Sequence, residues 1–415
     1  MNKYIIDTKE NRGFQRSLRE DLIWFGERFP SPGGGSYYLG DDGTPCKDRP
    51  RETWITSRMA HVYSMGALLG YEGSLQKAEA AVKGLRGELH DDKNGGWYAG
   101  ICADGKYLPD KQCYAHAFVI LAATSAMLAG ISGARELYED AVSVYDRYFW
   151  NEAEGLAADT WNTDFTELSG YRGLNANMHT VEAFLAASDV SHDETYRIRA
   201  GRIIERVIGW AEENSWRIPE HFTDSWSACL DLNKDRPDDP FKPFGATPGH
   251  GIEWARLIVQ WTLSTFASGS KEAEKYISAA KELYARAVKD AWSCDGAPGL
   301  CYTTDWTGKS VVHDRMHWTL AEAINTSAVL YRITKDAKYA SDYAMFMEYL
   351  DGYVVDHDNG SWFHQLDSKN HVTSTVWPGK PDLYHAVQAT LIPYVKDPGI
   401  SVAVAVKSGR MCDEL

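Results

Sequence analysis

The sequence lacks the signatures of several large classes of protein. Its seven cysteines are odd in number, scattered and without a Cys-x-x-Cys pair, which argues against a disulfide framework or a zinc site and favours a reducing compartment. No glycine-rich phosphate loop or dinucleotide fingerprint follows a strand-like segment, so nucleotide chemistry is not expected. No linker rich in proline or serine divides the chain, and we therefore expect one domain over residues 1–415.

Long apolar runs and an excess of basic charge are also missing. The longest apolar stretch, residues 115–129, is interrupted by polar residues and is too short to span a bilayer. The 43 basic and 58 acidic side chains give a formal net charge of −15, which disfavours nucleic acid and membranes as partners. The N-terminal residues do not resemble a signal peptide, so we expect a cytoplasmic protein with a neutral small-molecule ligand. The sequence allows a homo-oligomer.

What the chain does contain is an alternation of two kinds of helical segment. Some are apolar on almost every face, as expected of helices without a solvent side, and amphipathic segments follow them. The apolar segments are predicted at 57–69, 111–128, 178–187, 248–266, 315–331 and 382–395. The amphipathic ones are predicted at 75–89, 134–149, 194–212, 271–291 and 338–353, with a helix near 19–28 as the sixth. Six inner and six outer helices predict an all-α (α/α)6 barrel, with short Trp- and Gly-rich β-hairpins at one rim.

Histidine recurs where the apolar segments begin. These openings repeat at intervals of roughly 60 to 70 residues, the length of two helices and their loops. Parallel inner helices would place all six openings at one mouth of the barrel. The histidines concerned are His61, His116, His179, His250, His317 and His385.

The stretch from Thr247 to Trp254 combines a helix start with two ionisable side chains. Pro248 suits the first turn of a helix, and Thr247 before it is an acceptable cap. His250 then lies at the positive end of the helix dipole, which disfavours its charged form, whereas Glu253 one turn later favours it. Such a histidine is a candidate for proton transfer. A single motif of this kind would also fit a capped helix whose polar first turn faces solvent. Its recurrence at several helix starts favours a functional site.

The predicted mouth collects the groups that a sugar needs, because its C–H faces stack on aromatic rings and its hydroxyls take hydrogen bonds. We expect few carboxylates there, which disfavours a glycoside hydrolase, since hydrolysis needs two facing carboxylates. An incomplete ligand set likewise predicts no catalytic metal and no cofactor. The alternative outside the enzymes is a helical barrel that binds a carbohydrate but has no catalytic activity. The candidate residues are Arg58, Tyr114, Asn175, His179, His250, Glu253 and His385, with Trp54, Trp306, Trp318 and Trp377 from the rim.

Four segments, at 54–63, 175–179, 247–254 and 379–385, resemble the N-acylglucosamine 2-epimerase superfamily. Within it they are most similar to the aldose–ketose isomerase branch, which includes mannose isomerases and sulfoquinovose isomerases. The resemblance implies an (α/α)6 barrel that needs no metal. It further implies the site roles: His250 and His385 as the acid/base pair, Glu253 as the partner that orients His250, and Arg58, Asn175 and His179 as groups that hold the sugar.

This resemblance predicts interconversion of D-mannose and D-fructose through a cis-enediol, with D-lyxose and D-xylulose as a further pair. Sulfoquinovose isomerase and sugar 2-epimerase, of the N-acylglucosamine or cellobiose type, remain alternatives. Sulfoquinovose isomerases tend to have glutamine where Pro381 stands and another near His364, which disfavours the sulfonated sugar. Because His385 is followed one turn later by neutral Gln388, we expect it to stay neutral and shuttle the proton from C2 to C1. His250 is expected to open the ring.

Overall fold

Six helices that are apolar around most of their circumference form the inner ring of the barrel. The computed structural model describes residues 3–412. Each inner helix contacts the next, and the last returns to the first, so that the ring closes. Within the described residues the inner helices are α2 (Thr53–Leu68), α4 (Cys113–Ala129), α6 (Leu174–Ser191), α8 (Pro248–Thr265), α10 (His317–Thr334) and α12 (Tyr384–Ala389).

Amphipathic helices cover this ring and bury their apolar faces against it, which confirms the predicted (α/α)6 barrel. A last short helix, α13 (Val402–Lys407), was not predicted and packs against α2, α4 and α6. In residues 3–412 no helix has the length and apolar character that a membrane span requires. The outer helices are α1 (Lys9–Phe25), α3 (Ser74–Arg86), α5 (Ala134–Tyr148), α7 (Glu194–Glu213), α9 (Lys271–Ala291) and α11 (Ala337–Tyr349).

Short antiparallel strands lie where the inner helices begin. Four of these helices follow directly on a paired strand, and this pairing fixes the position of their first turns. The pairs are β1 (Tyr38–Leu39) with β2 (Pro45–Cys46), β3 (Arg51–Glu52) with β4 (Gly100–Ile101) and β4 with β5 (Tyr107–Leu108), β6 (Lys111–Gln112) with β9 (Thr160–Trp161), β7 (Trp150–Asn151) with β8 (Leu156–Ala157), β10 (Tyr171–Gly173) with β11 (His221–Thr223), β12 (Thr303–Thr304) with β13 (Ser310–Val312), and β14 (Arg315–Met316) with β15 (Gln365–Leu366).

Some predicted helix ends were wrong. The helix predicted at 382–395 stops at Ala389 and resumes only as a 3-10 turn, because Pro393 has no N–H to continue the ladder. Helices α2 and α6 begin one turn earlier than predicted, since polar residues before the apolar run are buried too. His61 and His179 therefore lie further inside their helices than expected, whereas His250 and His385 do lie in first turns. Thr247 precedes α8, but its side chain makes no capping hydrogen bond.

Candidate active site

A cavity of about 690 Å³, including its open mouth, lies at the N-terminal ends of the inner helices. This size suits a small ligand. The cavity brings together ten of the eleven predicted site residues, and further aromatic and histidine side chains complete its wall. The ten are Trp54, Arg58, Tyr114, Asn175, His179, His250, Glu253, Trp318, Trp377 and His385.

Trp306 is the predicted residue that the cavity lining does not include. It lies in the turn between β12 and β13, and its indole N–H donates to the carbonyl of Leu230 at 2.8 Å. Its role is therefore to hold two surface loops together. The rim aromatics that do reach the cavity include Phe241, which the sequence did not single out. The ring of Phe241 meets those of Trp377 and Trp54 edge to face, at centroid distances of 5.2 Å and 6.4 Å.

His385 is held by a carboxylate of the neighbouring inner helix. Its Nδ1 lies 3.0 Å from Oε1 of Glu322 on α10, and the other oxygen of Glu322 accepts from Arg256 Nε at 2.9 Å. Burial lowers the pKa of His385 well below its ordinary value, and the nearby positive charge of Arg58 acts in the same direction. We infer a neutral ring that donates its Nδ1 hydrogen to Glu322 and keeps Nε2 as a proton acceptor.

His250 has a different partner from the predicted one. Its Nδ1 lies 2.9 Å from Oε2 of Glu220, a buried residue just before β11, and its ring packs on Trp318 at a centroid distance of 4.9 Å. The prediction that Glu253 orients His250 was wrong, because Glu253 lies near Arg256 instead, at 3.5 Å. Glu220, and not Glu253, therefore orients the ring of His250.

The predicted contrast between Glu253 and Gln388 as partners of the two histidines was likewise wrong. Gln388 donates to Glu182 at 3.2 Å and lies 3.5 Å from His61, on the far side from the cavity. Both candidate acid/base histidines therefore have a carboxylate at Nδ1. Each carboxylate comes from another element of the chain, not from the same helix one turn later.

Arg256 lies among three buried carboxylates. Its guanidinium is 2.9 Å from Glu322, 3.5 Å from Glu253 and 3.8 Å from Glu182. Burial and the charge of Glu322 raise the pKa of Glu253 well above its ordinary value. Neither carboxyl oxygen of Glu253 has a hydrogen-bond partner among the described residues. The raised pKa favours the neutral carboxyl form of Glu253, and this form can donate to a ligand oxygen.

The lining of the cavity is rich in histidine and poor in carboxylates, as expected, although inner helices bring Glu182 and Glu322 close to it. Among the described residues, however, the acidic side chains that line the cavity itself are Glu253 and Asp382. Asp382 is paired with Arg58 at 3.1 Å, so it is not a free carboxylate that could act opposite Glu253. The arrangement therefore does not offer the free pair of carboxyl groups that glycoside hydrolysis uses.

Arg58 enters the cavity with its charge compensated. Besides its ion pair with Asp382, it donates through Nη2 to the hydroxyl of Tyr114 at 2.7 Å. Its guanidinium carbon also lies 4.9 Å from the ring centroid of Trp54 and 4.8 Å from that of Tyr384. These contacts fix Arg58 as a directed hydrogen-bond donor, while its net charge is largely cancelled by Asp382.

Three further histidines line the cavity as neutral groups. Burial lowers the pKa of His179 to about 4 and that of His317 to about 4. His317 stacks on His364 with centroids 3.7 Å apart, and burial lowers the pKa of His364 well below its ordinary value. Nδ1 of His179 lies 3.6 Å from Glu182, beyond hydrogen-bond distance. With Asn175, these rings offer uncharged donors and acceptors to hydroxyl groups.

The histidine and glutamate side chains that could bind a metal ion near the cavity fit such an ion poorly. Two sets of three donors come within 4.8 Å of one another, but a cation already lies among their carboxylates, because Arg256 contacts every one of them. A divalent ion would have to displace this guanidinium. The two sets are His179, Glu182 and Glu253, and Glu253, Glu322 and His385.

Sequence reasoning missed the carboxylates that act on the histidines. Glu322 and Arg256 carried a usable signal, because each is a charged residue in a helix with hardly any solvent face. A buried charge needs a partner, so the two could have been paired with each other. Glu220 carried no comparable signal, since it lies in a loop 30 residues before His250.

Fold and site together define a class of protein: an (α/α)6 barrel whose inner helices open onto a histidine-rich cavity suited to acid/base chemistry on a small polar ligand. Residues 34–389 match the family model described as N-acylglucosamine 2-epimerase. The chain belongs to the N-acylglucosamine 2-epimerase family, which confirms the resemblance seen in the sequence.

Individual relatives show which members of the family this chain resembles in sequence and in structure. The chain is 41% identical over 370 residues to a D-mannose isomerase of Pseudomonas cannabina pv. alisalensis, a match that covers 88% of this chain and 89% of that one. It is 39% identical over 375 residues to a D-mannose isomerase of Thermobifida fusca, covering 90% and 91%. A crystal structure of a D-mannose isomerase superposes with a TM-score of 0.84 at 27% identity, covering 93% of this chain and 98% of that one.

Proposed function

We propose that this protein is an aldose–ketose isomerase that interconverts D-mannose and D-fructose, and also D-lyxose and D-xylulose. One observation carries the proposal: a buried, neutral His385 bonded to Glu322 faces the same cavity as His250 bonded to Glu220. A neutral base and a separate proton donor are what ring opening followed by C2-to-C1 proton transfer requires. The names of the two relatives above 35% identity support isomerisation over 2-epimerisation.

In the proposed mechanism His250 protonates the ring oxygen and takes the proton of the O1 hydroxyl in return, and the sugar opens to its aldehyde form. Nε2 of His385 then takes the proton from C2, while His250 gives its proton to the aldehyde oxygen O1, which produces a cis-enediol. The carboxylate of Glu322 stabilises the imidazolium that forms on His385. Return of the same proton from His385 to C1, with transfer of the O2 proton to His250, gives the ketose. The neutral carboxyl of Glu253 can donate a hydrogen bond to a sugar oxygen during these steps.

The charge balance of the cavity favours an uncharged sugar. Asp382 compensates Arg58, and Lys380 is buried against Asp356 at 2.6 Å, so neither cation is free to bind a sulfonate. Neutral hydroxyls suit the neutral histidines and Asn175 better. We therefore expect a higher kcat/KM for mannose than for sulfoquinovose.

The test is to incubate the purified protein separately with mannose, fructose, glucose, lyxose and cellobiose and to identify the products by chromatography. Mannose and fructose should each yield the other. In D2O, deuterium should enter fructose at C1 with partial retention of the original proton. Glucose formed from mannose with little fructose would establish a 2-epimerase instead, and a higher kcat/KM for sulfoquinovose would overturn the preference for neutral sugars.

A further inference from the structure

A tight hairpin joins α9 to β12 and carries two of the cysteines. Trp292 pairs with Leu300, and the N–H of Ser293 donates to the carbonyl of Gly299 at 3.0 Å. Ser293 then adopts a left-handed conformation with φ of 51°, which turns the chain back on itself. The turn brings Cys294 at the tip of the hairpin next to Cys301 at its base.

The two thiols differ in exposure and contact each other. Cys294 is exposed, whereas the side chain of Cys301 is fully buried. Both sulfurs lie beside the Ser310 hydroxyl, whose Oγ is 3.4 Å from Cys301 Sγ, and the Cys301 thiol donates to the carbonyl of Thr303 at 3.7 Å. The adjacent Cys301 thiol lowers the pKa of Cys294 to about 6, and the positive charge of Arg315 acts in the same direction. The neighbouring Cys294 and burial raise the pKa of Cys301 well above its ordinary value.

Cys113 and Cys46 lack this combination. Burial raises the pKa of Cys113 to about 12, and it raises the pKa of partly exposed Cys46 as well. A reactive cysteine needs both an accessible sulfur and a favoured thiolate, and a disulfide needs a second thiol within reach. Cys294 meets the first two conditions, and Cys301 supplies the second thiol.

We propose that Cys294 and Cys301 are a redox-reactive pair that hydrogen peroxide converts to an intramolecular disulfide. The Cys294 thiolate attacks one peroxide oxygen and breaks the O–O bond, which gives a sulfenic acid and hydroxide. The Cys301 sulfur then attacks the sulfenic sulfur and releases its oxygen as water. The two sulfurs together lose two electrons, and the peroxide gains them; a thiol reductant reverses the change.

The pair is connected to the cavity through the next residue of the chain. Tyr302 follows Cys301, lines the cavity and packs against Trp318 at a centroid distance of 6.2 Å. Beyond it, Thr304 pairs with Ala246, just before α8, through hydrogen bonds of 2.9 Å and 3.0 Å. Moving the Cys301 sulfur towards Cys294 should therefore shift Tyr302 and the start of α8.

The test is mass spectrometry of the whole protein after brief exposure to a small excess of hydrogen peroxide. The wild-type chain should lose about 2 Da and yield a linked peptide pair joining Cys294 to Cys301, reversible by dithiothreitol. In Cys301→Ala the same treatment should leave a sulfenic acid on Cys294 that dimedone traps, whereas Cys294→Ser should form no link. Cys46→Ser is the matched control and should behave as wild type. Oxidation of Cys294 no faster than that of Cys46, or oxidation without a link to Cys301, would overturn the proposal.

A second measurement tests the connection to the cavity, and this arm rests on the proposed function. The oxidised wild-type protein should show a raised KM for mannose with a smaller change in kcat, restored by dithiothreitol and absent in Cys294→Ser. An unchanged KM at full disulfide formation would overturn the connection through Tyr302. If no mannose were turned over in any form, the mass measurement would still decide on the disulfide, so the two failures are distinguishable.

Discussion

His250 and His385 occupy equivalent places in the barrel, in the first turns of two inner helices, and each has a carboxylate at Nδ1. Their surroundings nevertheless differ. The side chain of His250 is 12% exposed, whereas that of His385 is 5% exposed and its neighbours include the positive charge of Arg58. Burial and neighbouring charge, not the presence of a carboxylate, therefore favour the neutral ring that we propose as the base at His385.

The comparison teaches that a shared local pattern does not fix a shared role. Both histidines can donate from Nδ1, and burial lowers the pKa of His385 well below its ordinary value. His250, at the more open side against Trp318, is placed to exchange protons with the ring oxygen and with solvent. The following predictions test this division of roles.

Replacement of His385 should have the largest effect. His385→Ala removes the proposed base, so kcat/KM should fall by roughly 10²–10⁴-fold or more, and exchange of the C2 proton with D2O should stop. His250→Ala should instead impair turnover most with closed-ring sugar and retain some C2 exchange. NMR of the substrate in D2O measures both. Undiminished C2 exchange in His385→Ala would assign the base to another residue.

The two carboxylate partners should differ in importance. Glu322→Gln removes the negative charge that stabilises the His385 imidazolium, and we expect kcat to fall by about 10–100-fold. Glu220→Gln should have a smaller effect, because His250 is closer to solvent. Since Glu322 also pairs with Arg256, thermal unfolding followed by circular dichroism must show that the variant is folded. Equal losses in two folded variants would remove the proposed difference between the histidines.

The helical ring could be predicted from the sequence because the apolar and amphipathic segments differ in periodicity, and this difference depends on local spacing alone. Helix ends were less predictable. Burial of polar residues lengthened α2 and α6, and the cost of Pro393 inside a helix shortened α12. Neither effect is visible in the pattern of apolar residues.

The sequence allowed us to predict which residues come together in the site. It did not allow us to predict which of them form hydrogen bonds with each other. Helix openings repeat, so His250 and His385 could be placed at one mouth. Glu322 comes from the neighbouring inner helix and Glu220 from a loop, and no short-range spacing encodes such contacts. The position of Trp306 could not be predicted for the same reason. The hydrogen bond from its indole N–H to the carbonyl of Leu230 joins residues far apart in the chain, and no local pattern encodes it.

The pH dependence of activity tests the proposed difference between His385 and His250. In the proposed mechanism the neutral form of His385 is the base, and its pKa in the folded protein is lowered, so the base should be lost only when the pH falls through that lowered value. We therefore expect kcat/KM to change by less than about twofold between pH 7.5 and pH 6, whereas a base with an ordinary histidine pKa would lose several-fold. Initial rates measured across this range decide between the two.

Acid unfolding supplies the control for this profile. His61, His179 and His317 have pKa values of about 4 in the folded state, below the ordinary 6.5 of an unfolded chain. The unfolded state binds protons first as the pH falls, so folding stability should decline from about pH 6.5 towards pH 4, by up to about 1.4 kcal/mol per pH unit for each group. Urea unfolding at several pH values separates this loss from titration of the base. An unchanged urea midpoint at pH 5 would contradict the burial of these rings as neutral groups.

We expect metal removal to have the smallest effect. This prediction also tests the roles assigned to the two histidines. A metal ion bound to Glu253, Glu322 and His385 would replace the hydrogen bond between Nδ1 of His385 and Glu322, on which the proposed role of His385 depends. Arg256 already supplies the positive charge that balances these carboxylates, so a divalent ion gains little there and would have to displace it. Dialysis against a strong chelator should therefore leave kcat and KM unchanged within error, with a mock-dialysed sample as the control. Loss of activity that a divalent ion restores would mean that His385 binds metal during turnover, and the neutral-base mechanism would have to be abandoned.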